Sequence, residues 1–235
     1  MDIKERIDLP DWERISMDMN DKGYACATNV LTDEECERLI AQYNDAALYR
    51  KTISMERYRF GAGEYKYYQY PLPAIVEELR QNVYPKLAPI ANNWMRVLNI
   101  DTHYPQKLDE LLEVCHAQNQ LRPTPLILKY GKGGYNTLHQ DLYGDVYFPM
   151  QLVVFLNEPG TDYQGGEFVL VEQRPRAQSK AIVLRPRKGD MLLFTTNYRP
   201  VKGTKGYYRV NMKHGVSELT EGQRHTLGVI FHDAG

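Results

Sequence analysis

Cysteine is scarce. The three present, Cys26, Cys36 and Cys115, are an odd number with no CxxC spacing, which argues against a disulfide framework and reads as a reduced, cytoplasmic protein. Long apolar runs are also missing: the longest, such as Leu152–Leu156 and Met191–Phe194, fall far short of a bilayer span, so no membrane association is expected. Met1-Asp-Ile-Lys-Glu-Arg6 holds no apolar segment, and no secretory signal is expected. Internal repeats and low-complexity tracts are lacking, which favours a single domain over residues 1–235. Net charge is nearly absent at −1, yet that figure is a cancellation. Between Arg174 and Lys213 stand eleven Lys/Arg and one acid, Asp190, so the remainder carries 18 of the 29 basic and 29 of the 30 acidic residues. Such a block is either a solvated face or the footprint of a polyanion partner.

What is present is ordinary for a folded chain: 43% hydrophobic and 25% charged residues. Residues 1–120 read as helical and acidic. A helix begins at Thr32 with Glu35 completing a capping box, and Cys36, Leu39, Ile40, Tyr43 and Ala47 form its apolar stripe. A second stretch runs from about Ala74 to Leu98, with Pro85 and Pro89 expected to kink or divide it. A third, 107–119, places Leu108, Leu111, Leu112 and Cys115 on one face. From Pro125 the period changes to short β-type runs: Leu126–Tyr130, Tyr147–Leu156, Glu167–Glu172, Ala181–Leu184, Met191–Thr195, Tyr207–Lys213 and His225–Phe231, separated by Gly and Pro turns. The expected fold is α+β, mainly β: a jelly-roll (double-stranded β-helix) core over 124–233, with N-terminal supporting helices and a lid in 1–120.

Among six histidines, His139-Gln-Asp141 is distinctive. In an extended segment residues two apart share a face, so imidazole and carboxylate can converge on one ion. A distant histidine would complete a facial triad, the arrangement that holds Fe(II) and leaves positions open. His214 is the choice, because Tyr208, Val210, Met212 and His214 share one strand face that ends at the metal. Zinc suits the same ligands. Arg224, ten residues on, shares a face with Thr226, and an inward guanidinium is costly without an anion. A dicarboxylate reaching from the metal to Arg224 would supply one, with Thr226 donating to the same carboxylate.

With these motifs in place, the chain resembles the Fe(II)- and 2-oxoglutarate-dependent dioxygenases, through Leu126-Ile-Leu-Lys-Tyr130, Leu138-His-Gln-Asp141, Gly165-Gly-Glu-Phe168, Lys188-Gly-Asp190, His214-Gly-Val216 and Arg224-His-Thr226. From about Trp12 to Asp233 it is similar to a bacterial oxygenase family held to act on damaged nucleic acid. The shared strings are Gly61-Ala-Gly-Glu-Tyr65, Tyr70-Pro-Leu-Pro73, Glu172-Gln-Arg-Pro-Arg176 and Phe231-His-Asp233. The resemblance implies Fe(II) ligation by His139, Asp141 and His214, and 2-oxoglutarate held by Arg224 with Tyr130. It also implies O₂ as oxidant, with succinate and CO₂ released. Leu128 stands where AlkB-like demethylases carry Asn, and the ten-residue spacing from His214 to Arg224 is similar to that of prolyl hydroxylases. The expected reaction is C–H hydroxylation, either demethylating alkylated nucleic acid or acting on a peptide or small molecule. A binding module without catalysis is the remaining alternative. Candidate substrate contacts are Arg57, Tyr58, Tyr65 and Tyr67 in an Arg/Tyr-rich segment, and Arg174 and Arg176 in the basic block, because bases stack on aromatics and phosphates seek cations.

Overall fold

A computed structural model describes residues 1–235. Six helices are present: α1 (Ile3–Asp8), α2 (Trp12–Lys22), α3 (Asp33–Ala41), α4 (Met55–Tyr58), α5 (Ala74–Val97) and α6 (Leu108–Ala117). The strands are β1 (Tyr24–Ala27), β2 (Tyr49–Ser54), β3 (Gly61–Ala62), β4 (Glu64–Tyr68), β5 (Leu126–Tyr130), β6 (Tyr135–His139), β7 (Met150–Phe155) and β8 (Tyr163–Gly165). They continue with β9 (Phe168–Gln173), β10 (Lys180–Leu184), β11 (Met191–Thr195), β12 (Tyr198–Gly203), β13 (Gly206–Val216), β14 (Leu219–Gly222) and β15 (Arg224–Ile230).

A major sheet, ordered β1-β11-β7-β15-β5-β4-β2, faces a minor sheet, β10-β9-β13-β6-β3, with β12 added beside β13. Every ladder between these strands is antiparallel. This is the expected jelly-roll with helices banked on the major sheet. The larger apolar core lies between those helices and that sheet, around Leu79, Val83, Trp94, Leu152, Leu193 and Val229. Two smaller clusters fill the space between the sheets. One is built on Phe155, Phe168, Phe194 and Met212, the other on Tyr130, Tyr163, Val216 and Leu219.

Two expectations change. Residues 1–120 are not helical throughout: β1 extends the major sheet at one edge, β4 and β2 extend it at the other, and β3 joins the minor sheet. The tyrosine- and lysine-bearing β2 and β4 lack a clean apolar alternation, and β4 and β1 gain stability from pairing with β5 and β11. Also, α5 runs unbroken through Pro85 and Pro89. Pro89 removes the amide that would bond the Pro85 carbonyl, and Gln106 Nε2 donates to that carbonyl instead at 2.8 Å. The Thr32 capping box forms as expected, with Glu35 Oε2 accepting from the Thr32 amide at 2.8 Å.

The end of β15 is secured by a saturated ion pair. Arg80 of α5 is fully buried and donates to the Ile230 and Phe231 carbonyls, to Tyr70 Oη and, at 2.7 Å, to Asp233 Oδ1. Two buried histidines remain neutral nearby. Burial, reinforced by the charge on Lys129, pushes His225 down to about 4. Burial, reinforced by Arg80, pushes His232 down to about 4. The Phe148 amide donates to His232 Nδ1 at 3.1 Å, which leaves the ring proton on Nε2. Because both folded-state values lie below that of an exposed histidine, the unfolded chain binds more protons as pH falls from about 6.5 towards 4, so stability drops over that window. At pH 5 the loss is roughly 1–2 kcal/mol per histidine. Thermal melts should show Tm falling between pH 7 and pH 5, with a clearly shallower fall in His225→Asn. An unchanged slope in the variant would contradict this origin.

Candidate active site

The metal-ligand set is assembled by strand pairing. His139 ends β6 and lies directly opposite His214 on β13, with ring centroids 4.1 Å apart. Val210, Met212 and His214 alternate into the interior while their neighbours face out, as the strand pattern requires. Asp141 lies just beyond β6. Its approach is secured by Gln140, whose amide nitrogen donates to the carbonyls of Asn197 and Met212, each at 2.9 Å. His139, Asp141 and His214 thereby bring donor atoms within 4.8 Å of one another.

Each ligand is oriented from behind. Only Nδ1 of His139 can donate to the Thr137 carbonyl at 2.7 Å, so Nε2 presents its lone pair to the centre. Burial, then the neighbouring His214, lowers the His139 pKa and keeps the ring neutral. Burial alone would raise the Asp141 carboxyl, but His214, His139 and an amide hydrogen bond outweigh it and hold the carboxyl well below its ordinary value. Tyr143 Oη donates to Asp141 Oδ1 at 2.9 Å and Gln151 Nε2 to Oδ2 at 2.8 Å. His214 packs against the rings of Phe168 and Phe194, at centroid distances of 5.9 and 4.8 Å.

The triad faces a cavity of ≈ 280 Å³, and Arg224, Thr226 and Tyr130 line the same cavity. Arg224 is 1% exposed, and Nε, Nη1 and Nη2 are all buried without a hydrogen-bond partner. Its neighbours are rings: Phe155 at 5.3 Å, Tyr130 at 5.6 Å and Tyr163 at 6.0 Å. Glycines let the chain close around it. At Gly166, φ +63°, a Cβ would lie 2.5 Å from Leu219 and 3.1 Å from Arg224 Cδ. At Gly63, φ +149°, it would lie 2.8 Å from the Tyr130 ring. Asn136 Nδ2 donates to Tyr130 Oη at 3.3 Å, which leaves the phenolic proton free to point into the cavity.

A model of the Oxygenase-NA family, described as an oxygenase catalysing oxidative methylation of damaged DNA, matches residues 63–234. The chain belongs to this oxygenase family. A Mycobacterium tuberculosis protein without a described function is 49% identical over 164 residues, 70% of each chain. Among solved structures, a Pseudomonas putida prolyl-4-hydroxylase superposes with a TM-score of 0.57 at 15% identity, covering 95% of this chain and 100% of that one. A Burkholderia pseudomallei oxidoreductase of the 2OG-Fe(II) oxygenase family superposes with a TM-score of 0.53 at 14% identity, covering 97% and 94%. These two likenesses show the shared fold.

The candidate substrate residues of this Oxygenase-NA member divide. Tyr65 and Tyr67 line the cavity. Arg57 and Tyr58 lie outside it on the exposed helix α4, where Tyr58 stacks on Phe60 at 5.6 Å, and it is Phe60 that reaches the cavity wall. Arg174 and Arg176 also lie outside the cavity lining, and Arg174 pairs with Glu172 at 2.7 Å. The reason is topological: the β9–β10 turn extends away from the paired ends that carry His139 and His214. Residues not singled out from sequence are Asn136, Gln151 and Tyr143. Gln151 left a signal, as the one polar side chain in the wholly buried strand β7.

Asp141→Ala should abolish divalent-metal binding. Gln151→Leu, which removes one of the carboxylate's two side-chain donors, should weaken it by roughly 10–100-fold. Titration calorimetry with Mn(II) checks both, and undiminished affinity in Asp141→Ala would remove the carboxylate from the ligand set.

Proposed function

We propose that the protein is an Fe(II)- and 2-oxoglutarate-dependent dioxygenase that hydroxylates a C–H bond on an alkylated base in nucleic acid, with oxidative loss of the alkyl group. The observation that carries the co-substrate is Arg224. A guanidinium sealed from water with no hydrogen-bond partner costs several kcal/mol, and a carboxylate is the group that answers it bidentately. The donor set of two imidazoles and one carboxylate suits Fe(II) and leaves coordination positions for a chelating co-substrate and oxygen.

Arg224 would grip the distal carboxylate, with the hydroxyls of Thr226 and Tyr130 as further donors. Asn136 keeps the Tyr130 hydroxyl turned inward. Phe155 and Tyr163 exclude water from the guanidinium, so the ion pair forms in a low-dielectric setting. His139, Asp141 and His214 would hold the metal, while Tyr143 and Gln151 keep the carboxylate from rotating. When bound, iron and 2-oxoglutarate supply the oxidation, delivering one oxygen atom of O₂ into a C–H bond as succinate and CO₂ leave. The ring of Phe60 and the phenols of Tyr65 and Tyr67 line the space left for substrate, a setting suited to a planar base out of its stack. Oxygen insertion at an N-methyl group gives a carbinolamine that releases formaldehyde, so the direction read here is removal of the methyl group. The family match supports nucleic acid as substrate class. The ten-residue spacing from His214 to Arg224 favours a second reading, hydroxylation of a peptide or small molecule.

Formaldehyde and succinate should appear together when the Fe(II)-loaded protein meets methylated oligonucleotides. Succinate without formaldehyde, with a gain of one oxygen on a peptide, would instead select the second reading. Arg224→Met gives a test independent of turnover. Replacing an uncompensated buried charge with an apolar side chain should stabilise the ligand-free protein by about 1–3 kcal/mol, yet abolish the rise in Tm that 2-oxoglutarate gives the Mn(II)-loaded wild type. A full rise in the variant would disprove the role of Arg224.

A further inference from the structure

The basic stretch from Arg174 to Lys213 is not one patch. Four of its cations are internally committed. Arg174 and Arg199 share Glu172, at 2.7 and 2.6 Å. Arg187 pairs with Glu158 at 3.0 Å, and Lys188 lies 3.7 and 3.1 Å from Asp33 and Glu37. Arg176, Lys180, Arg185, Lys202, Lys205, Arg209 and Lys213 form no ion pair and line no part of the active-site cavity.

Most of these free cations are gathered by β13 and its neighbours. On that strand Val210, Met212 and His214 are buried, while Tyr207, Arg209, Asn211 and Lys213 are exposed on the other face, about 6.8 Å apart at each step. Lys202 on β12 pairs opposite Tyr207, and Lys205 sits in the turn that joins β12 to β13. On the other side, Gln173 and Val171 of β9 lie opposite Asn211 and Lys213, and Arg176 and Lys180 follow at the β9–β10 connection. Arg209 lies over the Tyr198 ring at 4.9 Å, which limits its freedom without neutralising it. Glu172 lies opposite Met212 on the inner face, where two arginines bind it, and Asp21 lies on the border of the groove formed with Lys202 and Tyr207.

We propose that the outer face of β13, with the β9–β10 and β12–β13 turns, binds the phosphodiester backbone of the nucleic acid whose base is oxidised. This rests on the nucleic-acid reading above. Unpaired Arg209 and Lys213 on the strand, with Lys202, Lys205, Arg176 and Lys180 at the adjoining turns, complement the negative charges of a phosphodiester chain. Asn211 and Gln173 add neutral donors between the cations, and exposed Tyr207 offers a ring for stacking. The same strand carries His214 on its inner face, so backbone binding outside and metal ligation inside share one rigid element. Base oxidation and strand affinity are therefore separable by mutation.

The test is fluorescence anisotropy of a labelled single-stranded oligonucleotide against the metal-free full chain, repeated over a range of salt. The variant Lys205→Ser/Arg209→Ser/Lys213→Ser should bind at least tenfold more weakly. Its slope of log affinity against log salt should be smaller by about 2, near 0.7 for each lost contact. A control with equal charge loss elsewhere, Lys4→Ser/Lys51→Ser/Lys107→Ser, should bind like wild type, and circular dichroism confirms that both remain folded. Equal affinity of the β13 variant and wild type would overturn the proposal. So would polyglutamate competing as well as the oligonucleotide, which would mark the face as a site for acidic protein. Formaldehyde release from a methylated mononucleotide, which is too short to span the surface, should be the same in the variant and wild type. If no alkylated substrate yields formaldehyde while the anisotropy result holds, the demethylation reading fails and the surface stands.

Discussion

A positive charge enclosed by aromatic rings without a counter-ion governs the interior of this protein. Two arginines are buried to the same degree, and their fates differ. Arg80 is saturated by two carbonyls, a phenol and Asp233, and it serves to fasten the last strand to the helical layer. Arg224 meets only Tyr130, Phe155 and Tyr163. A folding requirement explains the first, whereas the second is unfavourable for folding alone. The fold tolerates it because the inner face of β15 passes from Arg224 through Thr226 to Gly228 beside the triad, and the whole row belongs to one cavity. Under the proposed function, Arg224 forms one end of a ligand site whose other end is the His139, Asp141 and His214 cluster.

That geometry depends on register. His139 and His214 face each other only because β6 and β13 pair at that step, and a slip of one residue would turn either imidazole to the opposite face. The major sheet contributes the supporting polar group, Gln151, and the minor sheet contributes two of the three ligands. The hydrogen bond from Gln151 to Asp141 thus spans the gap between the sheets. With its amide nitrogen committed to the carboxylate, Gln151 leaves a buried oxygen without a donor. This further unsatisfied atom belongs to a residue that lines the same cavity as Arg224. Unmet polar capacity is concentrated where ligand is expected, and the apolar clusters on either side are filled by Phe155, Phe168, Phe194, Tyr163 and Leu219.

The sequence was most legible where one periodicity dominated. Seven strands from Leu126 onward (β5, β7, β9, β10, β11, β13 and β15) are legible because period-two alternation and glycine turns agree with one another, whereas the short β6, β8, β12 and β14 fall outside the expected runs, and Thr32 announced its helix through a complete capping box. His139 and Asp141 stood out by their two-residue spacing in an extended segment, His214 by closing the strand face of Val210 and Met212, and Arg224 by its spacing from His214 and the face it shares with Thr226. Less legible were the elements whose stability comes from a partner distant in sequence. Strands β2 and β4 are half exposed and gain their place from β5, and β6 shows an exposed pattern throughout except at Asn136 and His139. The continuity of α5 depended on Gln106, seventeen residues beyond Pro89, replacing a missing donor at the Pro85 carbonyl. No local pattern could encode that contact.

Charge posed a different difficulty. Counted along the chain, the stretch from Arg174 to Lys213 is uniformly basic, but neutralisation is spatial. Glu172, inside the stretch's own hairpin, binds two of its arginines. Asp33, Glu37 and Glu158 reach others from α3 and from the loop that follows β7. Once these are removed, the remaining cations no longer describe a rim around the metal. Most of them gather at β13 and its adjoining turns, with Arg209 and Lys213 on the strand face away from His214. A polyanion attracted to this face would be held by many weak, salt-sensitive contacts, while the cavity judges a single group through close packing and a few directed hydrogen bonds. Separating the two tasks on opposite faces of β13 lets affinity for the strand vary without disturbing the geometry of oxidation, because exposed side chains at Arg209 and Lys213 bear no load in the core.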